Sequence, residues 1–410
     1  MDITLNRAAV EGSITVPSSK SQTIRALLIA TFSKGESIIH NPLISSDTMS
    51  CIHACRALGA TVEEYSDYIK INAPYQFPSS VAIDCGNSGT TLYLLCAMVA
   101  SKNITATFSG DDQLNNRPVQ PLLEALIELG VKVTYPANNK KEWYPPFTLT
   151  GPIQGGEVNI TCHTSQHLSA LLLAGVMANN DISISVDLLN EKPYVEMTLE
   201  WLKQQQITIE HNADLTNFYI PGNQIYHPID VSISGDYSSA SFFFCAAAIA
   251  RGTVEVRGLN KNDKQGDKEV LSILEKMGCT VTYQPDKVSV SLGKDDILAG
   301  GIFDLNAIPD ALPILAVVAS FAKGTTTLSN VPQARIKETD RIECMKVNLE
   351  KLQVKVEDTP DSIIIHGDSR VQGGIVDGFK DHRIIMAMAI ASLNTTRALT
   401  IQGIDAVDVT

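Results

Sequence analysis

Six segments of the chain repeat one design, and that repetition restricts the fold more than any other feature. Each begins with a polar stretch rich in Ser, Thr, Asp or Asn and runs on into small and apolar residues. They read SSKSQTIRALLIATFSKG, CGNSGTTLYLLCAMVASK, HTSQHLSALLLAGVMANN, GDYSSASFFFCAAAIARG, IPDALPILAVVASFAKG and KDHRIIMAMAIASLN. Anchored on Ser21, Ser88, Ser165, Ser238, Asp310 and Asp381, the intervals are 67, 77, 73, 72 and 71 residues. Self-similarity at a steady period marks an architecture of repeated supersecondary units that bury their apolar faces against one another.

The apolar runs are hydrophobic nearly all round, which predicts helices buried on every side rather than on one face. Each is followed by a β-rich stretch (ESIIHNPL, ITATFSG, ISISVDLL, TVEVRGL, TTTLSNV, ALTIQGI). The first five copies then carry a helix with apolar residues at i, i+3, i+4 and i+7: TMSCIHACRALGA, VQPLLEALIELG, YVEMTLEWLKQ, KEVLSILEKMG and ETDRIECMKVNLEKL. Hairpin patterns such as CTVTYQPDKVSVSL complete the unit. In the sixth copy the sequence stops after ALTIQGIDAVDVT, so either the last unit is shortened, without the terminal helix, or the sequence lacks its natural end.

At roughly 150 residues per domain, 410 residues predict two or three domains. Six units then divide into two lobes of three. The N-terminal DITLNR is a strand suited to finish the incomplete last unit, which makes one lobe discontinuous. The expected division is 15–224 for the first lobe, and 1–14 with 225–410 for the second. Sheets covered by helices place the fold in the mixed α/β class.

Composition narrows the function. Lys and Arg number 32 against 45 Asp and Glu, for a net charge of −13. A general nucleic-acid or membrane-surface binder would carry the opposite balance. An anionic ligand must therefore be met by a local cluster of cations. The opening MDITLNRAAVEG lacks the basic and apolar regions of a signal peptide. The longest apolar runs fall short of the roughly 20 residues that span a bilayer. A soluble, cytoplasmic monomer without nucleic-acid or membrane partners is expected. The eight cysteines lie in apolar runs or on amphipathic helices and read as reduced core residues. Cys51, His53 and Cys55 resemble half a zinc site, but no second half follows at zinc spacing. The spacing of His163 and His167, i and i+4, would let them share a helix face, but no H-E-x-x-H context surrounds them.

The polar leads of the buried helices carry the chemistry. Ser, Thr, Asp and Asn there are ordinary N-caps. Lys20, Arg25 and Arg383 are not, because the helix dipole disfavours cations at that end. A cation held there makes sense around an anion, so these starts read as phosphate or carboxylate cradles. In RIKETDR, a helix starting near Lys337 would put Lys337 and Arg341 at i and i+4 on one face. Arg117 opens another amphipathic helix, with Pro118 suited to its first position. Asp310, at the mouth of a buried helix, and Glu338, between cations, are the acid–base candidates. No G-x-S-x-G elbow, P-loop, post-strand G-x-G-x-x-G or zinc quartet is present.

The set Pro17-Ser18-Ser19-Lys20-Ser21 with Arg25, Gly86-Asn87-Ser88-Gly89-Thr90, Asn116-Arg117-Pro118, Thr164-Ser165-Gln166, Lys192-Pro193-Tyr194, Pro309-Asp310, Lys337-Glu338-Thr339-Asp340-Arg341 and Asp381-His382-Arg383 resembles the 5-enolpyruvylshikimate-3-phosphate synthase family. The match runs in order along essentially the whole chain. The resemblance implies two lobes, each of three βαβαββ units around buried parallel helices. It implies transfer of the enolpyruvyl group of phosphoenolpyruvate to the 5-hydroxyl of shikimate-3-phosphate, with release of phosphate and without metal or cofactor. Glyphosate is expected to inhibit, with the bare Gly89 leaving room beside the phosphoenolpyruvate site. By motif, Lys20, Gly89, Arg117, Gln166, Arg341 and Arg383 would meet phosphoenolpyruvate. Lys20, Ser21, Arg25, Thr164, Ser165, Gln166, Asp310, Gln333 and Lys337 would meet shikimate-3-phosphate. Asp310 would be the base, Glu338 the proton donor and Lys20 a third catalytic group.

Tyr93 stands where the family usually has Arg, Glu191 where a substrate-binding Ser is common, and Gln333 where Asn is frequent. The family's C-terminal Lys belongs to the segment that is missing here. The competing readings are a UDP-N-acetylglucosamine enolpyruvyl transferase, which needs a loop Cys acid, and a non-catalytic phosphometabolite binder, which has no use for Asp310 and Glu338.

Overall fold

The computed structural model describes residues 1–137, 141–285, 287–367 and 370–409. The chain forms two compact units, one of Ser18–Ile233 and one of Met1–Pro17 with Ser234–Thr410. Its class is mixed α/β. The repeat period appears as alternating inner and outer helices. These are α1 (Lys20–Phe32) and α2 (Ser46–Ala57), α3 (Gly89–Ala100) and α4 (Gln120–Glu128), and α5 (Ser165–Gly175) and α6 (Lys192–Gln204). In the other unit they are α7 (Tyr237–Ala250) and α8 (Glu269–Lys276), α9 (Leu312–Phe321) and α10 (Arg341–Lys351), and α11 (His382–Ala391).

Between their end turns α1, α3, α5 and α9 are buried on all sides, as their all-round hydrophobicity requires, whereas α7 leaves Ser239, Phe243 and Ala250 half-buried and α11 leaves Met386, Ala389 and Ile390 half-buried. Every residue of α3 except Thr90 is buried, and every residue of α9 except Phe321. Within the first unit α3 packs against α1 and α5, and within the second α7, α9 and α11 pack mutually. The even-numbered helices bury one face only; α4 hides Leu122, Leu123, Ala125 and Leu126 and exposes the remainder of its length more freely.

Each unit of the repeat adds one sheet. In the second copy, Ser80–Asp84 lies parallel to Thr105–Ser109, which runs antiparallel to Phe147–Thr150, and Lys132–Thr134 closes the edge. A strand, a buried helix and a parallel strand make a crossover that brings the helix onto the sheet face. The first and fourth copies exchange their leading strands. Glu11–Thr15 precedes α1 in sequence but pairs with Thr253–Arg257 in the other unit's sheet. Asp230–Ser232 precedes α7 but pairs with Glu36–His40. This exchange moves the unit boundaries to 17/18 and 233/234, a few residues past the expected 14/15 and 224/225. The sixth sheet has three strands, with Asp2–Leu5 antiparallel to Leu399–Gln402. After it, Ile404–Val409 forms a 3-10 turn, and the N-terminal ammonium meets Asp405 at 2.8 Å. Thr410 lies outside the described residues.

Two helix starts differ from expectation. α4 begins at Gln120, with Pro121 rather than Pro118 in its first turn, and Arg117 leaves a 3-10 turn at Leu114–Asn116. α10 begins at Arg341, capped by Asp340, so Lys337 lies outside the helix and shares no helical face with Arg341. The eight cysteines are all reduced and buried. Cys51 and Cys55 face the core while His53 points outward, so the three do not converge. Among the described residues no helix is long and apolar enough to cross a membrane.

Leu95 lies at the centre of α3 with no exposed surface. Leu95→Ala removes buried methyl groups where the surrounding helices cannot collapse, and should cost about 2–5 kcal/mol of unfolding free energy. Denaturant titration of the variant checks this; a loss below about 1 kcal/mol would mean α3 is not packed on all sides.

Candidate active site

In the first unit the predicted residues fall into three local arrangements. Lys20 opens α1, and its Nζ lies 3.0 Å from Asp47 Oδ2 in the first turn of α2. Asp47 is buried, and its other oxygen has no partner among the described residues. The cation at this helix start is therefore balanced from within the protein. Asp47 was not singled out in the sequence, where the helix pattern read from Thr48 stops short of it; the helix begins at Ser46.

Arg25, one turn further along α1, is 1% exposed. Its Nε and one terminal nitrogen donate to Thr198 Oγ1 at 3.0 and 2.9 Å, and its other nitrogen to the Ser21 carbonyl at 3.1 Å. A further contact reaches the Tyr194 carbonyl at 3.3 Å. These acceptors are all uncharged. Burial pulls the guanidinium down to about 10, only partly opposed by Tyr194. A buried cation surrounded by neutral acceptors is costly, and an arriving anion would relieve it.

The second arrangement lies at α3. Ser88 caps the helix, accepting from the Thr91 amide. Arg117 is buried and donates to Asn87 Oδ1 at 3.0 Å, while Asn87 donates to Asp111 and Gln113 at 2.7 and 2.8 Å. A Cβ on Gly89 would sit 2.6 Å from an Arg117 terminal nitrogen, so the bare glycine is what lets this guanidinium lie over the helix start. The space expected beside Gly89 is thus filled by Arg117. Tyr93 donates from its hydroxyl to the Pro118 carbonyl at 3.2 Å and meets His167 edge-on at 5.0 Å. Burial holds His167 down at about 3, so it stays neutral.

The third arrangement lies at α5. Thr164 is its N-cap and Ser165 its first residue. Thr164 Oγ1, Ser165 N and Ser165 Oγ all donate to Glu191 Oε2, at 3.0, 3.0 and 2.9 Å. Gln166 follows, with a buried Oε1 that has no partner among the described residues.

In the second unit the candidates gather more tightly. Asp310 sits in the 3-10 turn Pro309–Ala311 that leads into α9. Its Oδ1 lies 2.7 Å from one terminal nitrogen of Arg341 and 3.8 Å from Lys337 Nζ. Its Oδ2 lies 3.3 Å from Arg383, in the first turn of α11. The other terminal nitrogen of Arg341 donates to Glu338 at 2.6 Å, and its Nε to Asp381 at 2.8 Å. Asp381 is buried, caps α11 through the Arg383 amide at 2.9 Å, and accepts from the Thr339 hydroxyl. Gln333 is buried, donating to the Asn306 carbonyl at 2.8 Å, with its Oε1 unpartnered among the described residues.

Burial alone would push the Asp310 carboxyl up, but Arg383, Lys337 and Arg341 together hold it well below the usual carboxylate range. Burial likewise opposes the charge on Arg341, and Asp381, Glu338 and Asp310 outweigh it, keeping the guanidinium fully charged. Asp381 is lowered for the same reason, with Arg341 overcoming burial. The six groups form a neutral set of three cations and three carboxylates. The expected local cluster of cations is present, with Arg341 paired to three of the protein's own acids.

The sequence model for EPSP synthase (3-phosphoshikimate 1-carboxyvinyltransferase) matches residues 5–410. The 3-phosphoshikimate 1-carboxyvinyltransferase of Ruminiclostridium cellulolyticum is 41% identical over all of this chain and 96% of its own length. That of Acetivibrio thermocellus is 42% identical with the same coverage. A solved EPSP synthase from Acinetobacter baumannii, 24% identical, superposes over 98% of this chain and 94% of its own with a TM-score of 0.81, a likeness of fold. The chain belongs to the EPSP synthase (3-phosphoshikimate 1-carboxyvinyltransferase) family.

Proposed function

We propose that the protein transfers the enolpyruvyl group of phosphoenolpyruvate to the 5-hydroxyl of shikimate-3-phosphate and releases phosphate, as a cytoplasmic monomer. The observation that carries this reading is the single guanidinium of Arg341, which holds Asp310 on one terminal nitrogen and Glu338 on the other. Addition across the phosphoenolpyruvate double bond needs a proton delivered to the methylene carbon and a proton taken from the attacking hydroxyl. Two carboxylates fixed by one rigid fork suit that division. A protein that only bound phosphorylated metabolites would gain nothing by holding acids among its cations.

Glu338, protonated from solvent as the substrates bind, would donate that proton to the methylene carbon, and the hydroxyl oxygen would attack the adjacent carbon as Asp310 takes its proton. The Glu338 carboxylate so formed would accept the methyl proton lost in the next step. Loss of a methyl proton with departure of phosphate would then restore the enol ether. Asp310 is a weak base in the free protein, because Arg383, Lys337 and Arg341 depress it. The substrates' phosphate and carboxylate groups would engage the same cations and lessen that depression, so the base would gain strength when substrate is bound. In this reading Arg341, Arg383, Arg117, Lys20 and Gln166 serve phosphoenolpyruvate beside Gly89. Arg25, Ser21, Thr164, Ser165, Gln166, Lys20, Lys337, Gln333 and Asp310 serve shikimate-3-phosphate. Preorganised charge of this kind lowers the cost of bringing two polyanions together.

Phosphate release from the two substrates is the direct test; no release would overturn the assignment. Asp310→Asn should keep shikimate-3-phosphate binding while turnover falls about 10²–10⁴-fold. The same variant tests the charge network. Asp310 is depressed on folding, so its ion pairs contribute stability above the unfolded value and lose it only as pH falls through the lower folded value. The melting-temperature gap between wild type and Asp310→Asn should therefore hold from pH 7 to about 4.5 and narrow below that. Arg25→Gln makes the opposite trade. Removing a buried charge with neutral partners should leave the free protein as stable or more so, while weakening shikimate-3-phosphate binding by roughly 2–5 kcal/mol in calorimetry.

A further inference from the structure

The hydroxyl and amide donors at the start of α5, assigned above to shikimate-3-phosphate and of the kind that a helix N-terminus offers a phosphate, are already taken by a side chain of the protein itself. Glu191 is 1% exposed, and its Oε2 accepts from Thr164 Oγ1, Ser165 N and Ser165 Oγ at 3.0, 3.0 and 2.9 Å. A carboxylate there satisfies a first-turn amide of α5 and meets the positive end of its dipole, as a phosphate oxygen would. The backbone is arranged for it. Glu191 is in the left-handed region, φ 59, as the residue before α6, a conformation that side chains seldom adopt. Its neighbour Asn190 ties the loop down by donating to the His163 carbonyl at 3.2 Å.

We propose that Glu191 is a specificity-determining residue, an internal anion that occupies the phosphate subsite at the start of α5 and must swing away when a phosphorylated substrate binds. The proposal rests on the function assigned above. One acceptor oxygen uses all three donors, so phosphate and the Glu191 carboxylate cannot both have them. If both stayed, two like charges would share a buried site. Rotation about the side-chain bonds of Glu191 releases the donors without unwinding either helix. The affinity for the phosphorylated substrate is thus set by the exchange of one anion for another, not by filling an empty cradle.

The test uses the full chain with Glu191→Ser, which removes the charge and the reach, and Glu191→Gln, which keeps the shape without the charge. Inorganic phosphate is the first probe. Glu191→Ser should gain a phosphate-dependent rise in melting temperature larger than that of wild type, with Glu191→Gln between them. An equal rise in all three overturns the proposal, as does a lowered melting temperature that phosphate does not restore, the mark of a purely structural role. Shikimate-3-phosphate is the second probe. Removing a like charge should lower its KM about tenfold or more in Glu191→Ser, with the KM for phosphoenolpyruvate little changed. An unchanged or raised KM for shikimate-3-phosphate in both variants, alongside an active wild type, overturns the proposal. An inactive wild type would instead sink the function reading, and the inorganic-phosphate comparison would still decide the role of Glu191.

Discussion

A helix that is apolar around its whole circumference can offer only its ends to water, and the rest of this protein depends on having four such helices, α1, α3, α5 and α9, among its six inner ones. α3 and α9 have one residue each that is not buried. Such helices cannot carry function along their sides. Their N-termini remain, each with unsatisfied amides and a partial positive charge. Ser88, Thr164, Asp236 and Asp381 cap four of the six inner helices in the ordinary way. Charged residues of the inner helices gather at these ends, since along their sides only α7 and α11 keep a half-buried face, and its residues are uncharged.

Charges in so buried a setting have to be compensated, and the two units do this differently. In the second, Arg341 carries three carboxylates and the local set is neutral, so the arrangement is rigid before any ligand arrives. In the first, Arg25 is served only by hydroxyl and carbonyl oxygens, and burial lowers its affinity for its proton. One arrangement presents a preassembled acid–base pair. The other stores an unfavourable desolvation that an anion would discharge. Stability and ligand affinity pull in opposite directions at Arg25 and in the same direction at Arg341.

The sequence made legible whatever depends on short-range pattern. The period, the inner and outer helices and the hairpins followed from spacing and hydrophobicity, the cations at helix starts from their conflict with the dipole, and the remaining site residues from the family resemblance. One pairing between distant segments was legible, that of Asp2–Leu5 with the last unit, where it meets Leu399–Gln402; the exchange of leading strands was not. Nothing near Glu11–Thr15 says that it joins Thr253–Arg257 rather than the sheet of the helix it precedes, because strand partners are chosen by tertiary packing. Thr198 was missed because it sits on an outer helix whose pattern already explained it, and Asp47 because the pattern read from Thr48 stops short of it. The start of α10 could have been found: Asp340 followed three residues later by Glu343 is a capping signature, and Asp340 does accept from the Glu343 amide at 3.0 Å. Glu191 was noticed as a departure, but only the folded chain reveals that its carboxylate lies on Thr164 and Ser165.

The exchanged strands make one unit an insertion within the other's chain. Residues 18–233 carry every strand of their own three sheets, including Asp230–Ser232, so this stretch is complete as soon as it leaves the ribosome. Glu11–Thr15 and Asp2–Leu5 are synthesised first yet find their partners, Thr253–Arg257 and Leu399–Gln402, only after the inserted unit has been made. Assembly during synthesis therefore proceeds from the middle of the chain outward. The opening residues wait as unpaired strand, and their polar composition, with Asp2, Thr4, Asn6, Arg7, Glu11 and Ser13, suits a segment that must remain soluble for that long.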